Sequence, residues 1–397
     1  MKDLKEIILN KTEEYFGEVR EIRRHLHAHP ELGFEEHNTA KFIASKLTEY
    51  KIPIKTGIAK TGIVGLIEGK NPSSKVIALR ADMDALPIDE QNDVSYKSQT
   101  AGIMHACGHD MHMACLLGAA KILISLKDEF EGSLKIIFQP SEEKFPGGAI
   151  GMINEGVLEN PKVDMMIGQH VYPVLESGMV GFKPGIYMAS TDEIYITVKG
   201  KGGHAATPEL VINPINIAAK VLLEVEKEFN QRKPQDSASV LAFGKITGNG
   251  RTNIVPDEVK LEGTIRTFAE KWRAEAHALI TGIANNIAES MGGSCIVFID
   301  KGYPFLVNDE RLTEKVINFS KELLGEKNVQ PLKLRMTSED FAYYSHLIPS
   351  VFYRLGVKQK QTSQIRNLHT STFDVDESAM KTGMSTMAWI ALQCLLS

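Results

Sequence analysis

The sequence predicts an α/β protein, a mainly parallel sheet covered by helices, interrupted by an inserted α+β domain with its own four-stranded antiparallel sheet. Three observations predict it. Short apolar strands alternate with helical patterns over the first half of the chain, the order that builds parallel sheets. The polar residues of interest lie at or beyond the C-terminal ends of those strands, where open α/β sheets bind ligands. From about Gly181 the texture changes to strand-helix-strand-strand-helix-strand and reverts after about Asp300, which reads as a small insertion. The boundaries are expected at 1–182 and 300–397 for the two parts of the catalytic domain and 183–299 for the insert. A length of 397 residues accommodates two such domains.

Leu4 to His27 carries apolar residues at helical spacing, and His29-Pro30 with Gly33 ends that helix. Thr39 to Glu49 reads as a second helix. Val64–Ile67 and Val76–Leu79 read as strands, the latter running into Arg80-Ala81-Asp82-Met83-Asp84. The stretch His105-Ala106-Cys107-Gly108-His109-Asp110-Met111-His112 follows, on a turn that opens an apolar helix from Met113 to Leu126. Leu134–Phe138 and Val163–Gly168 are further strands, leading to Ser141-Glu142-Glu143 and to Gln169-His170.

In the insert, strands are expected at Glu193–Val198, Ser237–Ile246, Glu258–Arg266 and Ser294–Ile299, and helices at Pro214–Phe229 and Lys271–Met291. Val351–Gly356 and a last helix over Glu377–Leu396 close the chain.

The formal charge of -5 argues against a general nucleic-acid or anionic-membrane binder. Four scattered cysteines suggest no disulfide framework and a reducing compartment. Residues 1–16 are charged and amphipathic, without the apolar core of a signal peptide, and no run is long enough for a membrane span. A soluble cytoplasmic protein is the expectation.

The chemistry centres on Cys107, His109, Glu143, His170 and His369. Thiolate and imidazole together favour a zinc-like transition ion. Five such donors exceed the four of a closed structural site, so they imply one ion with an open position or two ions close together. Glu142 stands beside Glu143, so one carboxylate can ligate while its neighbour accepts a proton from water acidified by the metal. Taken singly, each has a plainer reading: a solvated Glu-Glu pair, a core His170, a surface His369, turn carboxylates at Asp82 and Asp84. His204 follows a glycine-rich turn. Gly200 to Ala205 also fits G-x-G-x-x-A, but no acidic residue ends a following strand as a dinucleotide site requires.

These motifs together resemble the M20 metallopeptidase/amidohydrolase superfamily, most closely its aminoacylase-like branch. The resemblance spans nearly the whole chain. It rests on Arg23 to Gly33, Arg80 to Pro87, the His105–His112 cluster, Phe138 to Glu143, Gly202 to Ala206, Asn253 to Asp257, Ser338 to Phe341 and Leu368-His369. It implies a zinc-exopeptidase-like catalytic domain and an inserted dimerisation or lid domain. Cys107, His109, Glu143, His170 and His369 would hold one or two divalent ions per subunit (zinc, manganese, cobalt or nickel), and Glu142 would be the general base. Asp84 matches the active-site aspartate; the ligand role of Asp82, where the wider superfamily has His, stays open.

The resemblance also implies that His204 and Asn253 approach the substrate, often from a partner subunit, and that His204 stabilises the oxyanion. The expected activity is hydrolysis of an N-acyl (for example N-acetyl or N-benzoyl) amino acid by a homodimer or homo-oligomer assembled through the inserted domain, with no nucleic-acid or membrane partner. A dipeptidase and a catalytically inactive binding protein are the alternatives; the presence of every proposed ligand and the base argues against the latter. Two departures stand out: Lys144-Phe145-Pro146-Gly147-Gly148 where many members have a plain glycine run, and Asn213 where Asp is common.

Overall fold

The computed structural model describes residues 3–397; the first two residues of the predicted amphipathic N-terminal segment, Met1 and Lys2, lie outside the described residues. The chain divides into two compact units, one of Met1–Tyr187, Val307–Leu334 and Asp340–Ser397, the other of Met188–Leu306 and Arg335–Glu339.

In the first unit the elements are α1 (Leu4–Ala28), α2 (His37–Glu49), β1 (Ile54–Ile58), β2 (Gly62–Glu68), β3 (Val76–Asp82), α3 (His109–Ile124), β4 (Ser133–Gln139), α4 (Gly148–Asn154), β5 (Met165–Glu176) and β6 (Val180–Phe182). The strand β7 (Gly185–Met188) follows. The second unit carries β8 (Asp192–Lys199), β9 (Gly203–His204), α5 (Pro214–Arg232), β10 (Ser239–Thr247), β11 (Ile254–Val255), β12 (Glu258–Thr267), α6 (Glu270–Ser290) and β13 (Ser294–Lys301). After β14 (Leu306–Asn308) come α7 (Glu310–Leu324), β15 (Val329–Pro331), α8 (Ala342–Ser345), β16 (Ser350–Lys358) and α9 (Ala379–Leu396).

The large sheet has eight strands in the order β1-β2-β4-β3-β5-β16-β6-β15. Its centre, β4-β3-β5-β16, is parallel. β3 and β4 are buried along their whole length, as strands covered on both faces must be. α3 and α9 pack on this centre. Both are apolar nearly all round, the pattern of a helix enclosed by protein. α1 lies against both and is amphipathic, its start capped by Asp3, which accepts the N–H groups of Lys5 and Glu6.

The second unit is a four-stranded antiparallel sheet ordered β10-β12-β8-β13. Ile194, Ile196 and Val198 of β8 join Ile217, Val221, Ile280 and Ala284 of α5 and α6 in its core. Asn213, one of the two departures noted in the sequence, caps α5 by accepting the N–H of Ile215 at 2.9 Å, a role Asp fills equally well.

Several expectations need correction. The unit boundaries fall later than 182/183 and 299/300, and residues 335–339 go with the second unit. Ala189 donates to the carbonyls of Arg335 and Thr337, and Arg266 bonds Ser338. Asp82 ends β3 instead of following it, and His170 sits inside β5. Strand β1 and the helix α4, both short, had no clear periodic signal. α3 starts at His109, so the cluster occupies its first turn. Among the described residues no helix is long and apolar enough to cross a membrane.

Candidate metal centre

The residues singled out in the first unit come from five segments that converge at the ends of β3 and β4 and the middle of β5. Gly108 makes the turn into α3. It has φ +84°, and a Cβ there would meet Val171 Cγ2 at 2.7 Å, so both conformation and space require glycine. Cys107 stands before this turn and His109 after it. Ser141, with φ +48°, turns the chain out of β4 and presents Glu142 and Glu143. His369 also has positive φ, 60°, and its N–H is held by the carbonyl of Ala106 at 2.8 Å.

Cys107 Sγ lies 3.4 Å from His170 Nε2 and 3.3 Å from His369 Nε2. His369 Nε2 is 3.1 Å from Glu143 Oε1, and His109 Nε2 is 4.0 Å from the same oxygen. Two donors on one tetrahedral ion, with bonds of about 2.0–2.3 Å, stand roughly 3.4–3.6 Å apart. The donor atoms of Cys107, His109 and His170 lie within 4.8 Å of one another, and so do those of Cys107, Glu143 and His369 and those of His109, Glu142 and Glu143. Cys107 belongs to the first two groups, and His109 to the first and third.

The imidazoles are oriented for ligation. His170 Nδ1 donates to the Val171 carbonyl at 2.8 Å, and His109 Nδ1 to Asp84 Oδ1 at 3.2 Å. In the neutral form of each ring Nε2 therefore carries the lone pair. His109 Nε2 is buried without a hydrogen-bond partner, an orphan that a cation satisfies. The residues present thus fit a transition ion.

Electrostatics agree. Burial pushes the Cys107 thiol well above its ordinary range, reinforced by Glu143 and Glu142. Burial lowers His109, but Asp82, Asp84 and Glu143 outweigh it and raise that imidazole to about 10. The site concentrates negative charge and holds a proton where positive charge belongs. Burial, with Arg354 beside it, keeps His170 neutral.

Asp84 is an organiser. Its Oδ1 accepts the N–H of Glu142 and its Oδ2 that of Glu143, both at 2.9 Å, besides the His109 contact. Asp82 is otherwise engaged: Oδ1 accepts from His112 Nδ1 at 2.6 Å, and Oδ2 from Arg80 Nη1 at 2.7 Å. His112 Nε2 accepts the Val171 N–H at 2.9 Å, so both its nitrogens are used and of the three clustered imidazoles only His109 faces the other donors. His105 is buried with neither nitrogen bonded and held near 4 by burial. Below the site Arg80 also bonds Gln139 and Asp340, at 3.0 and 2.9 Å. Asp110 Oδ2 takes Arg23 Nε–H at 2.7 Å and His27 Nδ1 at 2.9 Å, which ties the Arg23–Gly33 motif to the start of α3. Chemical type alone gave no signal for Arg80, Gln139 and Asp340, because their partners are far away in sequence.

His204 and Asn253 lie in the second unit. They are brought side by side there: β9 pairs with β11, His204 opposite Ile254, and Ala205 donates to the Asn253 carbonyl at 3.1 Å. This short ribbon replaces the strand-to-helix turn that a dinucleotide fingerprint needs. His204 is exposed.

A mainly parallel α/β sheet that gathers thiol, imidazole and carboxylate donors beside a second acid at its strand ends defines a metal-dependent hydrolase. The chain belongs to the peptidase family M20/M25/M40, matched over residues 78–393, and is a hydrolase acting on amide bonds that binds divalent metal. It is 39% identical over 304 residues to an N-acyl-L-amino acid amidohydrolase of Geobacillus stearothermophilus, covering 77% of this chain and 81% of that one. It is 35% identical over 394 residues to thermostable carboxypeptidase 2 of Saccharolobus solfataricus, covering 98% and 99%. The crystal structure of the Bacillus subtilis YXEP protein, a dinuclear metal-binding peptidase of the M20 family, superposes with a TM-score of 0.80 at 31% identity, covering 97% of this chain and 99% of that one.

Proposed function

We propose that the chain hydrolyses N-acyl amino acids, N-acetyl or N-benzoyl derivatives among them, to a carboxylate and a free amino acid. The observation that carries the reading is the convergence of Cys107, His170 and Glu143 on the orphaned His109 Nε2, with His369 against Cys107 and Glu143, and with a second carboxylate, Glu142, next in sequence to Glu143. Cys107, His109, Glu143, His170 and His369 would hold one or two divalent ions, zinc or manganese first among them. When bound, the metal supplies Lewis-acid polarisation of the scissile carbonyl and acidifies the attacking water.

Glu142 takes the proton as the water oxygen bonds to the carbonyl carbon, and delivers it to the amine nitrogen as the C–N bond breaks. Asp84 holds the backbone of both glutamates and the His109 ring, so base and ligand keep a fixed spacing. His204 is proposed to stabilise the oxyanion and, with Asn253, to bind the substrate. The similarity to an N-acyl-L-amino acid amidohydrolase supports this substrate class.

A homodimer through the second unit is also proposed. One face of its sheet packs on α5 and α6, while Tyr195, Val240, Ile296 and Phe298 stand exposed on the other, an apolar set suited to a second copy. A cytoplasmic location remains the proposal, consistent with four free cysteines.

The carboxypeptidase relative favours a second reading, a peptidase using the same centre. A panel of N-acetyl and N-benzoyl amino acids against dipeptides, assayed with added zinc or manganese, separates the two: an acylase acts without a free α-amino group, and a dipeptidase requires one. No turnover of any N-acyl amino acid would sink the proposal, and full activity in Glu142→Ala would sink the assigned base.

A further inference from the structure

Glu36 has no role in the chemistry above. It stands at the N-cap position of α2, yet its side chain makes no cap bond. It is fully buried, an uncommon place for a carboxylate without a function for both oxygens. Oε1 accepts the N–H of Ser141 at 2.8 Å, and Oε2 accepts the hydroxyl of Thr61 at 2.6 Å.

Ser141 is the residue with φ +48° that turns the chain from β4 into Glu142 and Glu143, a conformation a non-glycine residue keeps only when its surroundings impose it. Three consecutive N–H groups, of Ser141, Glu142 and Glu143, therefore all end on buried carboxylate oxygens, the first on Glu36 and the next two on Asp84. The far side of the turn is closed as well. A Cβ on Gly33 would meet Ser141 Oγ at 2.6 Å and Asp84 Oδ2 at 3.3 Å, so the Ser141 side chain already lies close against Gly33.

We propose that Glu36 is a positioning residue for the Glu142–Glu143 pair: anchored by Thr61, it clamps Ser141 in its left-handed conformation and so sets where both carboxylates point. This rests on the reading of Glu143 as a metal ligand and Glu142 as the base. Removing the clamp leaves the Ser141 N–H buried without an acceptor and lets the turn relax. Glu143 then meets the metal less well, and Glu142 loses its aim, although the substitution itself removes no group that touches substrate.

The test is zinc affinity, by competition with a chromophoric chelator, together with kcat and KM, for Glu36→Ala, Glu36→Gln and Glu143→Ala. Glu36→Ala is expected to bind zinc about 10- to 100-fold more weakly, the range for lost outer partners of metal ligands. Its kcat falls at saturating metal while KM stays within about threefold. Glu36→Gln recovers most of both: its amide oxygen accepts from Ser141, its NH₂ donates to Thr61, and the Thr61 hydroxyl reverses its role. A folded Glu36→Ala protein with wild-type zinc affinity and kcat overturns the proposal, as does a Glu36→Gln protein no better than Glu36→Ala. Should the alanine variant fail to fold, Glu36→Asp, which keeps the charge but falls short by one methylene, takes its place. It must lose at least tenfold in zinc affinity, and wild-type affinity there is refutation. Wild-type zinc affinity in Glu143→Ala would instead overturn the ligand reading itself, whatever the Glu36 variants do.

Discussion

Replacing Asp84 by asparagine changes one atom and isolates the organiser from the ligands. The carboxylate serves three donors: Oδ1 takes the Glu142 N–H and His109 Nδ1–H, and Oδ2 takes the Glu143 N–H. An asparagine keeps one acceptor oxygen. Placed at Oδ1 it preserves two contacts and turns its NH₂ against the Glu143 N–H; placed at Oδ2 it loses two. The first arrangement is the cheaper, so the damage falls on Glu143. A hydrogen bond to a charged group contributes about 1.5–3 kcal/mol, and each 1.4 kcal/mol is about tenfold in an equilibrium constant. The expected loss of zinc affinity is roughly 10- to 150-fold, with kcat at saturating metal reduced as the His109 ring loses part of its orienting charge. Chelator competition and steady-state kinetics measure both, and a melting curve checks folding. A folded Asp84→Asn enzyme within threefold of wild type in affinity and kcat would refute the organising role.

Glu142→Gln keeps the shape of the base and removes its proton affinity. The expected kcat falls by about 10²–10⁴ while bound metal, measured by atomic emission on the same sample, is unchanged; loss of metal instead would make Glu142 a ligand. Gly108→Ala forces a Cβ onto a residue at φ +84° and within 2.7 Å of Val171 Cγ2. About 1–2 kcal/mol of conformational strain plus the clash should lower the melting temperature and weaken zinc binding together; an unchanged melting curve contradicts the geometry. In the second unit, burial raises the Asp192 carboxyl, but Arg273 and His277 outweigh it and hold it below the ordinary range. A depressed folded pKa contributes stability that is present above the unfolded value near 4 and is lost as pH falls through the folded value. Asp192→Asn should flatten that acid limb and, by leaving Arg273 buried with less compensation, destabilise the unit by about 3–5 kcal/mol at neutral pH. An acid limb as steep as wild type in pH-dependent denaturation would exclude Asp192 as its source.

Much of this molecule was legible in order along the chain, for a physical reason. The central strands β3 and β4 are apolar runs because both faces are covered, and α3 is apolar nearly all round because it lies between sheet and helices. The candidate donors could be picked out by type, because Cys107 next to so many imidazoles is uncommon by accident. Their supports were not. Glu36 and Asp340 look like surface carboxylates in sequence, and only the fold shows Glu36 meeting Ser141 and Asp340 meeting Arg80. His170 misled because β5 continues past it to Glu176, and nothing in an apolar run marks where pairing with β16 stops. Residues 335–339 were placed with the wrong unit because the link that decides it, Ala189 to the carbonyls of Arg335 and Thr337, joins segments far apart in the chain and involves no side chain.

The charge balance of the site carries one more consequence. Asp82 is offset by Arg80 and His112. Glu143 faces the imidazoles of His369 and His109, and His109 is raised to about 10 against the effect of burial by Asp82, Asp84 and Glu143. Without metal that imidazole is protonated at neutral pH, and the Cys107 thiol, raised well above its ordinary range by burial and by Glu143 and Glu142, is protonated too. Ligation requires His109 Nε2 unprotonated and Cys107 as thiolate, so each binding event releases both protons. Both groups stay protonated in the metal-free protein from pH 6 to pH 8. Zinc affinity should therefore climb across that window by at least about two decades per pH unit, on the linkage between binding and proton release, and His369, raised above its ordinary value by its hydrogen bond to Glu143, adds a further proton where it is still protonated. Chelator competition repeated in buffers of matched ionic strength reads the slope. His170, kept neutral by burial and Arg354, adds nothing to it. A slope near zero would mean that neither His109 nor Cys107 surrenders a proton to the metal, and the two residues at the heart of the ligand set would then have to be given up together.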